Sequence, residues 1–400
     1  MTSRHLHGLA GQARNWVRTL LMSLFLVACG GGVESGGTGG NATASYASGP
    51  ITGFGSVIVN GVRFDDSGAS LKVADADGAA RNRDDLKLGM TINVRGTPIA
   101  ADDSSVATSI VYGSTILGPI TSINTGAAAL TVLGQSVDVV ATTVFDLSQG
   151  GAINPLSVGN VIEVYALFDA ATQRYRATRI ERKASVLFYR LRGVVTSLDT
   201  TTRTFMIGTE RISYAALGND VPTGLVNGSI VRIALQISLI NGVRPALQLK
   251  NGVTEPQDRD EVRIEGLISV FRSSADFSVD GVLVNASQAS FPDGTAGLGL
   301  GVRVALQGTV SNAVLSATRV QIKSQTQVED DGFELRGLIT SIDPVAQIFV
   351  LRGVSVDYSG SVEYKDGAQI NLATAANVEV RGRLASDGTR LVATRITFKR

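Results

Sequence analysis

After residue 48 the apolar residues alternate with polar ones at a period of two, in short runs broken by Gly, Asn and Asp. That period is the signature of strands with one buried face. Tyr189, Leu191 and Val195 share a face, as do Val262, Ile264 and Ile268, and Phe333, Leu335 and Ile339; Gly193, Gly266 and Gly337 lie inside those strands. Glycine within a strand marks a bulge or the sharp bend of a barrel corner. Asn60-Gly61 and Asp280-Gly281, each flanked by alternating residues, supply the positive φ of a type I′ hairpin. A polar connection follows, then two more strands, as in Val378 to Gly382 and Leu391 to Ile396. A helical turn is predicted before the fourth strand, as at Asp84 to Leu88, and no long segment of period 3.6 follows residue 48.

The pattern repeats. Units open at Gly49-Pro50-Ile51-Thr52, Gly118-Pro119-Ile120-Thr121, Gly193-Val194-Val195-Thr196, Gly266-Leu267-Ile268-Ser269 and Gly337-Leu338-Ile339-Thr340, spaced 69 to 75 residues apart. Four of them close alike, on Ala107-Thr108-Ser109-Ile110, Ala177-Thr178-Arg179-Ile180, Ala317-Thr318-Arg319-Val320 and Ala393-Thr394-Arg395-Ile396, while the third offers only Ala246-Leu247-Gln248-Leu249. Five strands in about 70 residues fit a small, partly open antiparallel barrel of OB-like type. The expected fold is therefore all-β, a tandem array of five such barrels over residues 49–112, 113–183, 184–250, 251–323 and 324–400. A unit this small buries only about 60% of its unfolded surface, so neighbours are expected to pack end to end and share stability. Asn251 to Glu261 and Ser324 to Gly332 are charged and read as exposed joints, whereas Gly113 to Leu117 is tighter. Units one and two should then dock closely, and units four and five should swing.

Residues 1–28 read as a leader. Arg4, Arg14 and Arg18 precede the apolar run Thr19 to Ala28, which is too short to span a bilayer. The run ends in Leu26-Val27-Ala28-Cys29, which resembles the bacterial lipobox. The resemblance implies cleavage before Cys29, a covalent lipid on Cys29 as the only attached group, and a membrane held through that anchor. Two or more acyl chains, at about 0.8 kcal/mol per buried methylene, make such attachment durable. Gly30, rather than Asp, follows the cysteine; among Gram-negative lipoproteins this implies the outer membrane. Residues 29–48 read as the lipidated cysteine and a flexible Gly/Ser tether.

Composition narrows the chemistry. The 400 residues contain 2 His, 1 Cys and 1 Trp. His5, His7 and Trp16 all lie in the leader, so the chain from Cys29 onward has neither His nor Trp, and its one cysteine is committed to lipid. Ser-His-Asp and Cys-His arrangements are excluded there, as are His or Cys zinc sites. Removing the three leader arginines leaves 33 basic against 35 acidic residues, a poor balance for nucleic acid.

The repeated charges are the candidate positions. Glu163 and Arg179, Arg303 and Arg319, and Glu379 and Arg395 are each 16 residues apart, and Asn93 and Ser109 share that offset in unit one. They are expected to face each other across the last hairpin, where opposite charges contribute roughly 0.2 to 1 kcal/mol. Asp75-Ala76-Asp77-Gly78 with Asp84-Asp85 superficially suggests a calcium loop, but it lacks the EF-hand register and holds Arg81 and Arg83, so it reads as a surface turn. Glu329-Asp330-Asp331 reads as solvated linker charge and Gly294 to Gly301 as a flexible loop. Tyr165, Tyr175, Tyr358 and Tyr364 are candidates for a ligand-binding face, although barrel packing or strand surface is the better account of each.

The Gly-x-Ile-Thr-Ser-Ile opening, the Val-x-Val-x-Gly strand and the Ala-Thr-Arg-Ile ending resemble a family of unknown function found as tandem β-rich repeats in exported bacterial proteins and lipoproteins. That family brings no catalytic or binding residues with it. The function expected is a non-catalytic, lipid-anchored envelope protein serving as a β-repeat spacer or interaction scaffold. The alternative is a lipoprotein whose OB-like grooves bind an envelope polysaccharide or peptide.

Overall fold

The computed structural model describes residues 44–146, 153, 155–253, 256–258 and 260–400. The leader, Cys29 and most of the tether lie outside the described residues. The protein is all-β, built of small closed barrels whose strands merge into a 17-stranded and an 11-stranded sheet.

The last unit displays the closure. Its first strand, Phe333–Asp343, pairs through Phe333 to Leu338 with Asn377–Leu384 and, beyond the bend, through Ile339 to Asp343 with Ile348–Leu351. Ile348–Leu351 turns back into Val354–Asp357 through Arg352 at φ 51° and Gly353 at φ 74°. Val354–Asp357 lies parallel to Leu391–Phe398, which returns antiparallel to Asn377–Leu384. The ring order is thus first, second, third, fifth, fourth. The parallel closing pair recurs in the other units as Phe64 with Ser105, Val137 with Tyr175, Ile212 with Arg244, and Val284 with Leu315.

Two glycine positions make the ring possible. At the bend, a Cβ on Gly193 would lie 2.4 Å from Ile207 Cγ2 and one on Gly266 2.8 Å from Val279 Cγ1, so the missing side chain lets the second strand cross close over the first. The glycine of Val-x-Val-x-Gly sits at a bulge of the last hairpin, between Gln307 and Gly308 or Arg381 and Gly382. A Cβ on Gly308 would meet Ser316 O at 2.2 Å. The Asn-Gly and Asp-Gly hairpins form as the sequence predicts, with Asn60 at φ 46° and Asp280 at φ 51°. A single 3₁₀ turn, Arg83–Asp85, precedes the fourth strand of unit one.

The order of the units in space differs from an end-to-end array. Units one, four and five share the larger sheet, and units two and three the smaller. Ala44 to Ser48 of the first strand runs parallel to Asp260 to Ile264 of unit four, and Gly53 and Phe54 parallel to Glu334 and Leu335 of unit five. Leu117 and Ile116 pair antiparallel with Arg190 and Leu191. The reason is the bend: each half of a first strand pairs within its own barrel on one side only, and the other side is an open edge. Unpaired strand edges are costly to leave exposed when a partner is at hand. The first strands therefore pair with one another, whatever their order in sequence.

Four readings change. Ala44 to Ser48 belongs to a strand rather than to a coil. At the joint before unit four, Gln257 and Asp258 are exposed as expected, but Asp260 is buried and accepts a hydrogen bond from Arg95 Nη1 at 2.7 Å. Gln325–Asp331 is a short helix capped by Ser324, whose hydroxyl accepts from Gln327 N; the Ser-x-x-Gln spacing carried that signal. Unit five is tied to unit one and does not swing free.

That tie has a charged component. Arg63 donates from both terminal nitrogens to Glu334, and Arg381 lies 3.1 Å from the same carboxylate. Burial works against ionisation of Glu334, but Arg63 and Arg381 outweigh it and hold its carboxyl below the ordinary 4.5. A lowered folded value means the contribution is complete above the unfolded value and is lost as pH falls through the folded one. Urea unfolding midpoints should therefore drop as pH falls below about 4.5, and Glu334→Gln should show a shallower drop. Identical acid profiles for the two proteins would remove Glu334 from the explanation.

Candidate functional site

Units one, two and three meet at the turn Asp75 to Gly78. Asp75 accepts the backbone N–H groups of Asp77 at 3.1 Å and Ala79 at 2.9 Å, together with Nε and Nη2 of Arg81, which fixes the turn. The turn projects Asp77 toward unit three. There Arg190 Nη2 and Arg232 Nε, the latter at 3.2 Å, donate to the Asp77 carboxylate, and Lys250 Nζ donates to the Asp77 carbonyl at 3.0 Å. Arg190 also lies against Ser114 and Glu163 of unit two. Asp75 and Asp77 of the turn are therefore committed to arginines at a junction between units, while Gly78 and Asp84-Asp85 stay exposed as a surface turn would have them.

Strand register brings the arginines together. Tyr189–Val194 and Ile230–Leu235 are antiparallel neighbours with Arg192 directly opposite Arg232. Their alternate residues Leu191, Val231 and Ile233 fill the barrel core, so Arg190, Arg192 and Arg232 point outward. Arg192 reaches the other way, donating to Asp280 Oδ1 at 2.9 Å and Gly252 O at 2.6 Å. The Arg190 and Arg232 side chains are 9% and 8% exposed. Burial, with Arg190 alongside, lowers the Arg232 guanidinium to about 10 despite Asp77. Arg190 Nε and Arg232 Nη2 are buried with no hydrogen-bond partner among the described residues.

The paired positions singled out by sequence do not face each other. Glu163 stands opposite Glu181, and Arg179 opposite Tyr165. Glu379 stands opposite Thr397, and Arg395 opposite Arg381. The offset of 16 falls between these pairings, because the bulge and turn length set the register. Each side chain has other partners. Arg179 donates to Glu181 and to Leu88 O; Glu163 accepts Lys183; Arg395 donates to Glu363; Glu379 lies 3.0 Å from Lys399. Arg303 holds Glu265 at 2.6 Å across to the first strand, and Arg319 is opposite Gln307. In unit one Asn93 is opposite Val111 and Ser109 opposite Arg95.

The tyrosines do not gather on one face either. Tyr175 and Tyr358 are buried in barrel cores, whereas Tyr165 lies on the outer face of its strand, buried against the apolar cluster of units one and five, and burial pushes its hydroxyl well above the ordinary value. Tyr175 donates its hydroxyl to Arg192 O at 3.0 Å. Tyr364 packs at the edge of the core shared by units one and five. Of the linker acids, Asp330 contacts Arg383 and Asp331 contacts Lys323.

Sequence reasoning missed Asp77, Arg190, Arg192 and Arg232 as a group. A signal existed for the arginines, three charges at outward positions of neighbouring strands in one unit. None existed for Asp77, whose partners are 113 and 155 residues away.

Fold and junction together define an all-β protein of small closed barrels locked by arginine–carboxylate contacts. Residues 118–181 and 336–397, which are most of units two and five, each match DUF5666, a domain of unknown function. The repeat openings at Gly118 and Gly337 and the endings at Ala177 and Ala393 fall within those two matched stretches. Comparison with curated proteins finds no match.

Proposed function

We propose that this is a non-catalytic, lipid-anchored protein of the bacterial envelope, exported and held at the outer membrane through Cys29, whose five OB-like barrels form a rigid interaction scaffold. The observation that carries this reading is the pairing of first strands between units distant in sequence. An extended spacer needs units that contact only their neighbours, whereas parallel pairing of unit one with units four and five favours a block. Leu26-Val27-Ala28-Cys29 supports the anchor, and the absence of His and Trp beyond the leader supports a non-catalytic role. The five-strand ring order, with its parallel closing pair, supports the OB-like description.

Cys29→Ser should shift the protein from the membrane to the soluble fraction and abolish labelling by an alkyne-bearing fatty acid. Retention of the variant in the membrane pellet, unlabelled, would leave the anchor without support. The second reading, a groove for an envelope polysaccharide or peptide, rests on the usual ligand face of OB barrels. The released variant separates the two: saturable binding to a glycan array or to peptidoglycan favours the groove, and clean negatives favour the scaffold.

A further inference from the structure

Beside the Asp77 junction lies a cavity of about 120 Å³ walled by units one to four. Its wall is made by equivalent positions of the repeats. Ser48, Arg192 and Glu265 each precede the bend glycine of their first strand, and Asn93 and Arg232 occupy the same place on their fourth strands. Units of one design thus turn the same outward face toward a common centre, each with a different residue there.

The charges at that centre do not balance. Arg190, Arg192, Arg232 and Lys250 converge, while Asp77 is shared by Arg190 and Arg232 and Asp280 is taken by Arg192. Glu265 lines the cavity but is held by Arg303. Glu163, at the far side of Arg190, also serves Lys183. Arg232 lines the cavity with its Nη2 buried and unpartnered. A buried guanidinium N–H without an acceptor costs more than an ordinary lost hydrogen bond, and an anion is its strongest partner. The wall is tight at Gly113, where a Cβ would fall 2.4 Å from Arg232 Nη2 and 2.7 Å from Ala76 Cβ, so the bare backbone is what lets the guanidinium lie there.

We propose that this cavity binds one small oxyanion, of phosphate or carboxylate size, through Arg232 Nη2 and the guanidinium of Arg192, at the point where four units meet. The ligand would join units held otherwise by ion pairs and strand edges. Its site belongs to the assembled block, since no single unit supplies the wall.

The test uses the full chain in detergent, titrated calorimetrically with inorganic phosphate and, separately, with acetate. Saturable binding near one per chain is expected for at least one of them, and the preferred anion identifies the class. Arg232→Met should weaken it at least tenfold. Because removing Arg232 also disturbs Asp77, Asn93→Asp is the second variant: it keeps the side-chain shape and the oxygen that accepts the Tyr46 hydroxyl while adding a negative charge to the wall, and it should weaken binding at least tenfold with the circular dichroism spectrum unchanged. No saturable heat with either anion overturns the proposal, and so does undiminished binding by Asn93→Asp.

Discussion

Asp77→Ala is expected to destabilise the folded chain by about 3 to 5 kcal/mol, the range found when one partner of a buried ion pair is removed. The size follows from what remains behind. Among the described residues Arg232 loses its carboxylate, and Arg190 keeps Ser114, the Phe188 ring and a more distant Glu163 at 3.7 Å. Both guanidiniums are nearly enclosed, so water cannot replace the lost acceptor at low cost. Adding Arg232→Met to Asp77→Ala should recover part of the loss, because an apolar side chain of similar length needs no counterion. Urea unfolding of the four proteins in that cycle measures the coupling. Equal losses for Asp77→Ala and the double variant would mean that the turn itself, rather than the stranded charge, carries the effect.

The second large effect concerns cooperativity. Phe349 is 1% exposed and stacks on Tyr358, with ring centroids 5.6 Å apart. Phe349→Ala should cost about 3 to 5 kcal/mol, as truncation of a buried aromatic side chain does. Its consequence should not stop at unit five. Phe349, Leu351 and Val380 belong to the same continuous apolar cluster as Ile51, Phe64 and Val94 of unit one, and the first strands of the two units are paired. Amide exchange in the strand Thr91–Gly96 of unit one should therefore accelerate together with that in Asn377–Leu384. Acceleration confined to unit five would show that the shared cluster does not couple the two barrels.

The interior of each barrel was legible in the sequence because it is local. Alternation of Tyr189, Leu191 and Val195 decides which face is buried, Asn60-Gly61 and Asp280-Gly281 place hairpins, and Gly193 and Gly266 mark bends, all within a few residues of one another. The Ser324 cap was equally local and was passed over because its segment is so charged. The charge pairs failed for a specific reason. The residues 16 apart that do pair are Val164 with Ile180 and Val380 with Ile396, so each charged position sits one residue out of register with its supposed partner, which spacing along the chain cannot reveal. The linker reading failed at Asp260 because a charge on an apparently exposed segment found Arg95 in another unit.

By itself, then, the sequence determined the repeat, the strand periodicity and turns of each unit, and the removal of His and Trp from everything beyond the leader. These depend on residue type and short spacing. The tertiary structure alone decided which units touch, because the open edges of the first strands are chemically alike and pair by geometry rather than by order in the chain. It also decided that Asp77, unremarkable in its own turn, sits between two arginines from a unit more than 100 residues away. Burial gave those charges their weight, and burial there is made by the packing of units rather than by any one of them.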